Sequence, residues 1–212
     1  MNPTRIKVCG ITRPVDGIAA AQAGADAIGL VFAPKSPRRV EVEQATAIVR
    51  ALPPFISSVA LFVNPVVAEV ERVIDEVRPD LLQFHGEESA AFCRQFGVPW
   101  LKAIRVKPET DLLQCATIFV EARGLLLDAY SPLAHGGTGH RFDWSLIPPE
   151  MGLPIILAGG LDPANVVAAI GAVHPWAVDV SSGVEAAPGI KDAAKMAAFI
   201  KEVRHAEAVP AV

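Results

Sequence analysis

Short apolar runs recur along this chain, each followed by a longer amphipathic stretch, and that strict alternation limits what the chain can fold into more than any other feature. The eight runs are Arg5–Cys9, Ala27–Phe32, Ser58–Val63, Leu81–His85, Trp100–Val106, Gly124–Asp128, Pro154–Ala158 and Ala177–Ser181. Most are nearly continuous in Val, Ile and Leu, as strands covered on both faces are. The stretches between them predict helices over Val15–Ala23 with Gly24 as the stop, Pro65–Val77 with Asn64 as N-cap, and Ala90–Phe96 between Ser89 and Gly97. A further helix starts at Asp162-Pro163 and runs to about Val173, and the last covers about Lys191–His205. Glu43–Leu52, Glu109–Thr117 and Trp144–Ile147 are weaker helical segments. Alternating strand and helix requires a parallel sheet. Eight such units in 212 residues predict one domain over 1–212, an α/β fold of the compact (β/α)8 TIM-barrel type, with a small, apolar tail at 206–212 expected to fray. An open doubly wound sheet is the rival, but its dinucleotide-binding form carries GxGxxG after the first strand, whereas this strand ends Cys9-Gly10-Ile11-Thr12.

Composition narrows the function. A net charge of −4 lacks the basic footprint a nucleic-acid binder needs. Three cysteines, an odd number with no CxxC, argue against a disulfide framework or zinc knuckle and for a reducing compartment. The first residues have no apolar h-region, and no uninterrupted apolar run reaches ~18 residues. The expectation is a cytoplasmic enzyme with neither nucleic acid nor membrane as partner.

A barrel of this type places its site at the C-terminal ends of the strands. Those positions here are rich in polar residues and glycine: Cys9, the Ser36-Pro37-Arg38-Arg39 loop, Asn64, Gln83, His85, Arg105, Asp128, Gly159-Gly160 and Ser181-Ser182-Gly183. The loops after the seventh and eighth strands are the usual phosphate cradle. Gly159, Gly160, Ser181, Ser182 and Gly183 there allow backbone N–H groups and hydroxyls to approach an anion, and Gly136 and Gly137 after the sixth strand could close over it. Any one glycine pair is equally read as a turn; all three at one end of a barrel point to phosphate.

Taken alone, a single Cys is more often a packing residue. Cys9, however, ends a strand and precedes Gly10, while Cys93 and Cys115 fall in helical segments. Asp128 follows three leucines, where a carboxylate is costly unless paired or used, and such a setting suits a general acid. Arg38 could hold a substrate carboxylate with its planar fork, with Arg39 as its rival. Gln83 and His85 share a strand face, as do Lys7 and Cys9, and Asp179 and Ser181. Closing the barrel makes the first and eighth strands neighbours, so Lys7 and Asp179 are expected to meet as a buried pair. One His without a second His or an acidic cluster makes no metal set, so neither metal nor cofactor is expected.

In order along the chain, these segments resemble the phosphoribosylanthranilate isomerase family. The stretches that carry the resemblance are Lys7-Val-Cys-Gly-Ile-Thr12, Gly29-Leu-Val-Phe with Ser36-Pro-Arg-Arg39, Val59-Ala-Leu-Phe-Val-Asn64, Leu82-Gln-Phe-His-Gly86, Leu126-Leu-Asp128, Gly136-Gly-Thr-Gly139 with Phe142-Asp-Trp144, Ala158-Gly-Gly-Leu161, and Asp179-Val-Ser-Ser-Gly183 with Pro188-Gly189. The resemblance implies an Amadori rearrangement of a small phosphoribosyl substrate, N-(5-phosphoribosyl)anthranilate, in tryptophan biosynthesis. It makes Cys9 the base and Asp128 the acid, sets Arg38 at the anthranilate end, and puts Gly160 and Ser182 near the phosphate. The protein is expected to be a monomer or a homodimer. Lys7 and nearby helix N-termini are expected to lower the Cys9 thiol from its free value near ~8.5. Another phosphosugar barrel, or a phosphate-binding barrel without catalysis, is the alternative.

Overall fold

The structure is a computed structural model that describes residues 3–129 and 143–208. Its eight main strands are β1 (Arg5–Cys9), β2 (Ala27–Val31), β3 (Ser57–Phe62), β4 (Leu81–Phe84), β5 (Trp100–Val106), β6 (Leu125–Ala129), β7 (Ile155–Leu157) and β8 (Ala177–Val180). They close in sequence order into a parallel barrel. Each lies within one residue, at either end, of the run expected from the sequence. The closing seam pairs β1 with β8 in the register Arg5↔Ala177, Ile6↔Val178, Lys7↔Asp179 and Val8↔Val180.

The helices are α1 (Pro14–Ala23), α2 (Val42–Ala51), α3 (Val67–Val77), α4 (Ala90–Arg94), α5 (Leu112–Ile118), α6 (Val166–Val173) and α7 (Ala193–Ala208). Gly24 ends α1 as expected: at φ 102 it turns its N–H back to the carbonyls of Ala20 and Ala21. Ser89 caps α4 by accepting from the Phe92 N–H. Four expectations need correction. Asn64 does not cap α3; its Oδ1 accepts from the Glu87 N–H at 2.7 Å across the loop, and the helix begins at Val67. Asp162 caps only a turn, accepting from the N–H groups of Ala164 and Asn165, and α6 begins at Val166. The segment at Trp144–Ile147 is a single 3-10 turn, Trp144–Leu146. Lys191 is not helical: it lies in an unforeseen antiparallel hairpin, β9 (Glu185–Ala187) with β10 (Ile190–Lys191), while α7 extends to Ala208 and so covers the start of the expected tail.

Alternation along the strands separates two apolar layers. Ile6, Val8, Ile28, Leu30, Leu82, Phe84, Leu157 and Val178 have no exposure and pack outward in one cluster with helix residues such as Ile48, Val70 and Phe199. Each buried aliphatic of this kind contributes about 1.5–3 kcal/mol. The alternate positions Leu101, Ala103, Leu126, Ile156, Ala158 and Ala177 fill the barrel interior. Cys9, Val31 and Leu61 form a small cluster near its C-terminal end.

The interior also holds charge. Lys7 Nζ lies 3.0 Å from Asp179 Oδ1, and the two side chains are 6% and 8% exposed. The buried pair inferred from strand alternation is therefore present at the seam. Burial works against the Lys7 cation, but Asp179 and Cys9 outweigh it and hold Lys7 above its ordinary value. Breaking one partner of such a pair leaves an uncompensated buried charge. Lys7→Met is therefore expected to lower the unfolding free energy by about 3–5 kcal/mol in urea titrations, and adding Asp179→Leu to recover most of that loss.

Candidate active site

Cys9 is the last residue of β1 and Asp128 the last but one of β6, and they are 6% and 5% exposed. β7 and β8 separate their strands, and Asp179 on β8 interacts electrostatically with both residues. Cys9 pairs in register with Gly29, and that glycine is needed: a Cβ there would stand 2.7 Å from the thiol sulfur. The expected lowering of the thiol is not found. Burial pushes the Cys9 thiol up, and Lys7 and Lys191 only partly offset it, with Asp179 opposing them. Placing a thiolate at this buried strand end costs more than the neighbouring cations return.

Around Asp128 lies a polar cluster. His85 Nε2 approaches Asp128 Oδ2 to 3.2 Å, and Gln83 Nε2 is 3.2 Å from His85 Nδ1. With the amide nitrogen as donor, Nδ1 accepts and the ring proton sits on Nε2, facing the carboxylate. The angle of that approach is not that of a hydrogen bond. Among the described residues, His85 Nε2, Gln83 Oε1 and Arg105 Nε are buried without hydrogen-bond partners. Native structures leave few such atoms unpaired, so several at one strand-end cluster are what a polar ligand would satisfy. Arg105 is the register partner of Asp128 and donates from Nη2 to the His85 carbonyl at 3.1 Å.

The two glycine loops face each other across β7 and β8. Gly159 and Gly160 have φ of 86 and 65, a region L side chains rarely adopt. Asn165 Nδ2 holds the Gly160 carbonyl at 2.8 Å. Gly183 joins the loops, since any Cβ there would collide with the Leu161 carbonyl. Ser181 and Ser182 are half-buried beside it, and Ser182 opens a 3-10 turn, Ser182–Val184. Gly136 and Gly137 lie outside the described residues.

Arg38 is buried to 12% exposure, whereas Arg39 is a solvated charge beside Glu41. The structure thus separates the two rivals. Arg38 is not unpartnered: Nε and Nη2 donate to Glu185 Oε1 and Oε2 at 2.7 and 2.8 Å. Lys191 Nζ donates to Glu185 Oε1 at 2.9 Å and to the Ser181 carbonyl at 3.1 Å. Burial alone would raise the Glu185 carboxyl, but Arg38 and Lys191 hold it below its ordinary value. Glu185 and Lys191 were missed in the sequence. The one available signal was Pro188-Gly189, with Gly189 at φ 79, the composition of a type II hairpin turn. No group of three or more His, Cys, Asp or Glu among the described residues is placed to hold a metal ion.

Comparison with known proteins gives the family and agrees with the fold. The family model described as N-(5'-phosphoribosyl)anthranilate (PRA) isomerase matches residues 6–202. The N-(5'-phosphoribosyl)anthranilate isomerase of Thiobacillus denitrificans is 57% identical over 94% of this chain and 98% of its own. The crystal structure of phosphoribosyl anthranilate isomerase from Thermotoga maritima superposes with a TM-score of 0.88 at 41% identity, covering 95% of this chain and 99% of that one. A phosphoribosyl anthranilate isomerase in complex with reduced 1-(o-carboxyphenylamino)-1-deoxyribulose 5-phosphate gives 0.85 at 39% identity, with coverage of 95% and 99%.

The raised thiol has a direct test. Cys93 is pushed up to about 12 and Cys115 is raised as well, both mainly by burial. In a Cys93→Ser/Cys115→Ser background, ultraviolet thiolate absorbance is expected to show Cys9 ionising above the free-cysteine value of ~8.5. Titration below that value would contradict the balance of burial and charge described here.

Proposed function

Since this chain belongs to the N-(5'-phosphoribosyl)anthranilate isomerase family, we propose that it carries out that family's rearrangement with Cys9 as the base and Asp128 as the acid. The reaction converts N-(5-phosphoribosyl)anthranilate to 1-(2-carboxyphenylamino)-1-deoxyribulose 5-phosphate, a step in tryptophan biosynthesis. Asp128 gives its proton to the furanose ring oxygen, and the C1–O bond opens to a Schiff base. Cys9, as thiolate, takes the proton from C2, and the electrons left behind neutralise the iminium as an enolamine. The enolamine then tautomerises to the ketone. Metal and cofactor have no part in this scheme.

The observation that carries the reading is that Cys9 and Asp128 lie buried at the C-terminal ends of β1 and β6, on either side of two strands followed by glycine-containing loops. A phosphate held by Gly159, Gly160, Ser181, Ser182 and Gly183 lets one ribose reach both. Gln83 and His85 line the acid side, and Gly136 and Gly137, which follow Asp128 in the sequence, are also assigned to the substrate. Arg38 takes the anthranilate carboxylate. The protein binds a small phosphoribosyl compound as a monomer or homodimer, without nucleic acid or membrane, in the cytoplasm. The free state of all three cysteines supports that compartment. No helix among the described residues is long and apolar enough to cross a membrane.

Disappearance of anthranilate-type fluorescence from freshly made N-(5-phosphoribosyl)anthranilate is the assay. Cys9→Ala and Asp128→Ala are each expected to lower kcat by at least ~100-fold, and near-full activity in either variant would remove that residue's role. The scheme needs Cys9 deprotonated and Asp128 protonated together, so kcat/KM should show two pH limbs, one from each group. Exhaustive dialysis against EDTA should leave kcat unchanged.

A further inference from the structure

We infer that Glu185 is the positioning residue that aims Arg38 at the carboxylate of the substrate's anthranilate ring, an inference that rests on the reading of Arg38 given above. A guanidinium offers two edges to a carboxylate: side-on through Nε and Nη2, or end-on through Nη1 and Nη2. Glu185 occupies the side-on edge fully, with both its oxygens engaged. No described residue donates to or accepts from Nη1, so the end-on edge is left for a second planar anion.

Glu185 is itself anchored. Oε1 also receives Lys191 Nζ at 2.9 Å and the Gly189 N–H at 3.2 Å, and the Glu185 carbonyl receives Lys195 Nζ at 2.8 Å. The carboxylate is therefore a fixed point on the β9–β10 hairpin, not a tether that swings with its partner. Arg38 needs such a point, because it reaches the site on a long flexible stem from the loop after β2. That stem passes over β1 only because residue 10 is glycine: a Cβ there would press on Arg38 Cδ at 2.5 Å. Fixing the guanidinium before substrate arrives removes the ordering cost from binding. The charges are consistent with this role. Arg38 and Lys191 carry two positive charges against the single negative charge of Glu185, so Glu185 does not neutralise the pair. Without Glu185, two buried cations would face each other.

The test compares two ligands by calorimetry: reduced 1-(2-carboxyphenylamino)-1-deoxyribulose 5-phosphate, and its phenylamino counterpart without the ring carboxylate. Glu185→Gln keeps the shape but presents an amide to the guanidinium. It is expected to weaken the carboxylated ligand by roughly tenfold or more and to leave the other unchanged. Glu185→Asp keeps the charge on a shorter stem and should lose roughly threefold, again only for the carboxylated ligand. It carries the test if a thermal melt shows that Glu185→Gln does not fold. Equal weakening of both ligands marks a merely structural role and overturns the inference, as does no weakening of either. Arg38→Met separates the two claims. If it shows no selectivity for the carboxylate, the reading of Arg38 fails; if it does and the Glu185 variants do not, only the inference about Glu185 fails.

Discussion

Pairing the last strand of the barrel with the first is the constraint on which the rest of this structure depends. A parallel sheet of eight strands has two open edges unless β8 meets β1, and each open edge exposes a row of unpaired N–H and carbonyl groups. The register that satisfies them also brings Lys7 against Asp179 in the interior. That ion pair lies one alternate position below Cys9, and Asp179 also feels Asp128. The seam is therefore both the closure of the cylinder and the electrostatic floor of the site. Lys7 opposes the burial that pushes the thiol up, and Asp179 limits how far that help goes.

Much of this was legible in the sequence because strand alternation is a local rule with a long reach. Knowing that Lys7 and Cys9 share a face, and that Asp179 and Ser181 do, needs only a period of two; closure then makes neighbours of the two faces. The same rule aligned Gln83 with His85. What alternation cannot carry ends where the strands end. Glu185 lies beyond β8, on a hairpin too short for any period, and its partner Arg38 is 147 residues away. Asn64 had the composition of a cap, but its side chain went to the neighbouring loop, after β4. The sign of the Cys9 shift was illegible for another reason. It is a difference between desolvation and several charges, and each of these depends on distances that no spacing along the chain encodes.

In the proposed reading, the glycine loops after β7 and β8 take one anion of the substrate and Arg38, held by Glu185 beside Lys191, takes the other. Lys191 ties the two ends together, since it holds both Glu185 and the Ser181 carbonyl. On that reading, a ligand with an anion at each end and a ring between them would be fixed at both termini, with its centre toward Cys9 and Asp128. Holding reacting atoms in that way supplies much of what a site without strong nucleophiles or metals has to offer.

The same seam also dictates an order of events during synthesis. Lys7 and Asp179 are separated by 172 positions, so the first strand made waits for nearly the whole chain before its partner exists. Contacts of such long range are slow to form, because the loop they close must be ordered first. Until then β1 presents an unpaired edge and a buried-type lysine without its counter-ion. The thiol, the neighbouring charges and the hairpin that holds Arg38 come from opposite ends of the polypeptide and assemble in one late step. A nascent or truncated chain that stops short of β8 encodes Cys9, Arg38 and Asp128, yet lacks the counter-ion of Lys7 and the hairpin that holds Arg38.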